Sequence, residues 1–137
     1  KAKVKSKKVK VKKMNQREKP RDIKERTFLF ALDIVELCRA LEKQTDVYRT
    51  LGKQLLRSGT SIRANTEEAQ AGQSNADFVS KYSIALKEAR ETIYWLKLLR
   101  ESGLKNEDIN FMIQEADELS RIIGAIIVNT KKGKSEK

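Results

Sequence analysis

Four stretches of the chain repeat apolar residues at steps of three and four, the spacing that gathers side chains on one face of an α-helix. Between Asp22 and about Lys43, Phe30, Ile34, Leu37 and Leu41 make one stripe, and Phe28, Ala31, Leu32, Val35 and Cys38 make a second beside it. Pro20 precedes this stretch and no glycine interrupts it, so a helix is predicted. Its apolar surface is wider than an outer helix of a monomeric bundle must bury, which predicts a contact outside the protomer. The second stretch runs from Asp46 to Ala71, ahead of Gly72, with Leu51, Leu55, Ser58, Ile62, Asn65 and Ala69 on one seam. That seam starts apolar and turns small and polar. Ser58, Gly59, Thr60, Ser61 and Ala64 would let another backbone approach closely, although Gly59 within a helix costs about 1 kcal/mol relative to alanine. Tight helix packing around an interior Asn65 is the plainer reading, and a ligand or nucleic-acid surface is the other.

The third helix is predicted from Ser74 or Asn75 to Ser102–Gly103, with Phe78, Tyr82, Ala85, Ala89, Ile93, Leu96 and Leu99 on one face. Val79, Leu86, Tyr94, Trp95 and Leu98 spread beyond that face; aromatics can stack bases, but at this spacing they read first as core. Lys87 and Glu91 form a candidate i,i+4 ion pair. The fourth helix is predicted from near Asn106 to about Thr130 on the seam Ile109, Met112, Ala116, Leu119, Ile123 and Ile126, widened by Ile113, Ile122 and Ile127. Short connections at about 44–45, 72–73 and 103–105 must fold consecutive helices back on each other. The expected fold is all-α, an antiparallel up-down-up-down four-helix bundle over residues 22–130. Basic segments 1–21 and 131–137 flank it.

Charge changes the picture because of where it lies. The chain has 30 basic and 19 acidic residues over 137 positions, a net +11. Residues 1–13 hold eight lysines and no acid, and residues 131–137 hold four lysines and one glutamate, which leaves 18 charges of each sign in a neutral body. The lysines of the first segment, including Lys3, Lys5, Lys7, Lys8, Lys10, Lys12 and Lys13, repel one another and should keep it extended. Such an arm attracts phosphate backbones by counterion release; the plainer reading is a solubilising extension upstream of the first methionine, Met14. Helix two also carries Arg49, Lys53 and Arg57 near its amino end and Glu67 and Glu68 near its carboxyl end, against the helix dipole. Cations so placed answer either to acids on a neighbouring helix or to a partner such as nucleic acid.

The chemistry available is narrow. With no histidine and one cysteine, imidazole catalysis, histidine-containing di-iron sites, zinc centres and internal disulfides are all excluded. A reducing, cytoplasmic location is expected, with neither a signal peptide nor a membrane span. Glu67, Glu68, Glu88 and Glu91 are the acids that could in principle hold a divalent cation, but no nucleophile or glycine-rich phosphate loop accompanies them. No catalytic residue, metal or cofactor is expected.

The runs Leu55–Ala71 (LLRSGTSIRANTEEAQA) and Asp77–Leu99 (DFVSKYSIALKEARETIYWLKLL) resemble the bacterial four-helix-bundle family named after intervening sequences in 23S ribosomal RNA genes. The resemblance spans about Thr27 to Thr130. It implies a small bundle assembling as a ring-shaped homo-oligomer, a homopentamer. It also implies kinship with the accessory protein of diversity-generating retroelements, which binds nucleic acid and its reverse transcriptase through a basic surface. By that resemblance Lys53, Arg57 and Arg63 are the body cations expected to contact nucleic acid. The chain departs from the family pattern at Glu68-Ala69-Gln70, where glycine is frequent, and residues 1–13 lie outside it. The function expected is noncatalytic, sequence-nonspecific binding of RNA or DNA by an oligomer. The alternatives are an accessory subunit of a reverse transcriptase in a diversity-generating retroelement and a protein-interaction scaffold, with a reverse transcriptase or a ribosome-associated protein as the partner.

Overall fold

The computed structural model describes residues 18–19 and 22–135. Within them the chain forms four helices and no strand: α1 (Ile23–Leu41), α2 (Asp46–Gln70), α3 (Asn75–Glu101) and α4 (Ile109–Ser135). Asp22 caps α1 by accepting the Lys24 N–H at 3.1 Å, and Ser74 caps α3 by accepting the Asp77 N–H at 3.1 Å. These bonds satisfy amides that the first turn of a helix leaves without partners. α3 ends where Gly103 takes φ +105°, a conformation that side chains disfavour, and the Leu104 N–H returns to the Leu99 carbonyl at 3.1 Å. The fourth helix continues five residues past the expected Thr130, through Lys131 and Lys132. Lysines in a last turn face the negative end of the helix dipole, so the basic run extends the helix.

Consecutive helices pack side by side, whereas α1 and α4 approach each other least closely among neighbours. The expected core is in place: Phe30, Ile34, Leu37 and Leu41 from α1 are buried with Leu55 and Ile62 from α2, Tyr82, Ala85, Ala89, Leu96 and Leu99 from α3, and Met112, Ala116, Leu119 and Ile123 from α4. On α2 the register differs slightly from expectation. Thr66 is buried, while Asn65 is half-exposed and bonds back to the Ser61 carbonyl at 2.9 Å on its own helix.

Of the small residues expected to allow a close approach, Gly59 does so at the α1–α2 contact, while Thr60 and Ser61 are half-buried and Ala64 is exposed. A Cβ placed on Gly59 would stand 2.8 Å from Ile34 Cγ1 and 2.9 Å from Cγ2, so only glycine allows this approach. Across the other flank of α2, the hydroxyls of Ser58 and Thr92 meet at 2.9 Å, joining α2 to α3 inside the core. Buried Thr27, Thr66 and Thr92 each donate to a carbonyl four residues earlier, at 2.8, 2.9 and 2.8 Å. No buried side-chain polar atom among the described residues lacks a partner. Among those residues, no helix is long and apolar enough to cross a membrane.

Candidate nucleic-acid interface

The four cations expected on helix two do not form one surface. Arg49 closes on Asp46 of its own helix. Arg57 leans toward α3, where it bonds Glu88 at 3.3 Å and also Glu91. Arg63 leans the opposite way: it donates to the Lys24 carbonyl of α1, pairs with Glu67 at 2.7 Å and lies over the Phe28 ring, 5.3 Å from its centroid. Lys53 is exposed and has no ion pair among the described residues; it lines a shallow hollow with Val35, Cys38, Arg39, Glu42, Gly52 and Leu56. The unusual charge order of α2 is therefore explained in part by neighbouring helices. The lysines expected in residues 1–13 lie outside the described residues.

The four glutamates considered for a cation are likewise separated, for Glu88 and Glu91 take Arg57, Glu67 takes Arg63, and Glu68 takes Lys81 at 2.8 Å. That last bond favours the charged form of Lys81 and raises its pKa. Because Arg57 and the Trp95 indole N–H, at 3.0 Å, both bind Glu91, the expected Lys87–Glu91 pair does not form. Lys87, Arg90 and Lys97 are exposed on α3 without an ion pair among the described residues. Between them stands Tyr94, 56% exposed. Three- and four-residue spacing could have revealed this stripe in the sequence, but assigning Glu91 to Lys87 concealed it.

A second cluster was not visible in the sequence at all. Arg26 of α1 forks onto Glu115 of α4 through Nε at 3.0 Å and Nη2 at 2.8 Å, and Nη2 also reaches Glu118 at 2.9 Å. Lys19 joins from ahead of α1, 3.0 Å from Glu118 and 5.5 Å from the Phe111 ring centroid. Hydrogen bonds from Lys19 and then Arg26 hold the Glu118 carboxyl below its ordinary pKa, and the bond to Glu115 raises that of Arg26. The cluster spans the seam between α1 and α4, the most sparsely packed of those between neighbouring helices. Cys38 is buried with its Sγ 3.3 Å from the Gly52 carbonyl, and burial pushes its thiol up to about 12.

Among the described residues, one face of α1 stays partly open, with only Arg63 lying against Phe28. Phe28 is 50% and Leu32 46% exposed, with half-buried Val35 continuing the same stripe toward exposed Leu56 of α2.

Comparison with known proteins agrees with the fold. A protein of unknown function from the S23 ribosomal protein family of Bacteroides thetaiotaomicron is 40% identical, with a TM-score of 0.71 over 77% of this chain and 98% of its own. No curated relative matches the chain. The profile of the 23S rRNA-intervening sequence protein family matches residues 19–125, and the chain belongs to that family.

Proposed function

We propose that this chain is a noncatalytic, cytoplasmic nucleic-acid-binding protein whose up-down-up-down bundle assembles as a ring, a homopentamer, and presents basic arms to RNA or DNA. The observation that carries this reading is the distribution of charge: the body is neutral, and the net +11 resides in the two ends. Pairing within the bundle reinforces it, since Arg57 and Arg63 are already engaged by glutamates and contribute less free charge than the arm. The open Phe28, Leu32 and Val35 stripe supports self-association, because a face of this kind gains free energy when covered by another copy. An assembly then brings several +8 arms to one polymer, and effective concentration multiplies their weak individual affinities.

The test is binding of a structured RNA and a duplex DNA across a salt series, by the whole chain and by a version lacking residues 1–13, with the mass of each assembly measured in parallel. Steep salt dependence that flattens on removing the arm supports the reading. Absence of any salt-dependent binding by the whole chain defeats it. The same exposed stripe also favours a second reading, an accessory subunit docking a polymerase such as a reverse transcriptase or a ribosome-associated protein. In that case Leu32→Glu would abolish partner binding and leave nucleic-acid affinity unchanged.

A further inference from the structure

We infer that the outward face of α3, formed by Lys87, Arg90, Tyr94 and Lys97, is a binding surface for a single-stranded segment of nucleic acid; this rests on the nucleic-acid reading above and assigns it a place on the folded body. The steps of three, four and three residues align these side chains along the helix, over a rise of about 15 Å. No acid shares the stripe. The acids that flank it are engaged elsewhere, Glu88 and Glu91 by Arg57 and Glu101 by Arg100 at 2.9 Å. Arg57 draws both glutamates to the α2 side and offsets one of their two charges, and with Lys87, Arg90 and Lys97 the patch keeps a net charge of +2.

Tyr94 supplies what a purely electrostatic patch lacks. Its ring meets Trp95 edge to face with centroids 4.9 Å apart, and Trp95 is fixed by its 3.0 Å bond to Glu91. The exposed tyrosine is therefore supported from behind by a chain of contacts running back to α2. An aromatic held in place and flanked by cations accepts an unpaired base on its face while phosphates meet the lysines and arginine. A duplex offers no free base face to it. Every base has a face that can stack on Tyr94, and the cations meet the phosphates, so little sequence preference is expected.

The experiment follows anisotropy of fluorescein-labelled oligo-uridine RNA and oligo-thymidine DNA of about 12 nucleotides on the whole chain, in parallel with emission of its single tryptophan. In the unaltered protein, single strands should quench Trp95 and a duplex should not; unchanged emission at saturation overturns the proposal. Replacing Lys87, Arg90 and Lys97 together by glutamine should reduce the salt slope by about 2. Tyr94→Leu should weaken binding about fivefold or more and remove the quench, with Tyr94→Phe retaining both. If the whole chain binds and these variants match it in affinity and slope, the site lies elsewhere while the nucleic-acid reading stands. If the whole chain binds neither strand nor duplex, that reading fails too. A change in assembly mass on Tyr94→Leu makes this face a contact between copies and overturns the inference.

Discussion

At the scale of single residues, two glycines with opposite surroundings separate packing from propensity. Gly59→Ala adds a methyl within 2.9 Å of Ile34, a β-branched side chain that is fully buried and has no room to swing aside. Overpacking of about 1–3 kcal/mol exceeds the helix-propensity gain of about 1 kcal/mol, so net destabilisation is expected. Gly124 has nothing within 4 Å of the added atom, and its replacement by alanine should stabilise by about 0.5–1 kcal/mol. Urea unfolding of both variants checks the sign of each. Cys38 makes a separate test of burial. With its thiol raised to about 12, it should resist a disulfide reagent at pH 8 in the native protein and react at once in denaturant.

At the scale of helices, the apolar seams were legible because burial follows helical spacing, and Phe30, Ile34, Leu55, Tyr82 and Leu119 all lie where the pattern puts them. Ion pairing was not legible, since sequence spacing shows only partners on the same helix. Arg57 had an evident place in a basic row on α2, yet its partners Glu88 and Glu91 lie more than thirty residues away on α3. Arg26 and Glu115, separated by 89 positions, gave no signal whatever. Removing Arg26 by substitution with methionine leaves the nearly buried Glu115 carboxylate with only Lys19 at 3.4 Å, and should cost about 3 kcal/mol. The double variant with Glu115→Leu should recover most of this, as measured by thermal or urea unfolding. The same cluster sets a pH response. The folded Glu118 pKa is depressed, so its stabilisation is full above the ordinary carboxylate range and is lost as pH falls through the lowered value. Glu118→Gln should flatten that acid limb, by less than about 1 kcal/mol because the group is partly exposed.

At the scale of the whole molecule, the sequence already implied that α1 has more apolar surface than one bundle needs, but it could not say which stripe turns inward. The structure assigns Phe30, Ile34, Leu37 and Leu41 to the core and leaves Phe28 and Leu32 outside. Leu32→Glu therefore separates folding from assembly: no core contact is lost, so helical content and the unfolding midpoint of the isolated protomer should change little, while a charge is placed where the proposed contact between copies would be dry. Light scattering should show the mass falling toward that of a 15.7 kDa monomer. Nucleic-acid affinity should fall with it by more than one protomer's share, because separated arms no longer act at a common effective concentration. The salt slope of each remaining arm should persist, since it counts the phosphates that one arm neutralises. A variant that stays assembled would remove the Phe28–Leu32 stripe from the contact, and one that falls apart yet binds as tightly as before would show that assembly adds nothing to the grip on nucleic acid.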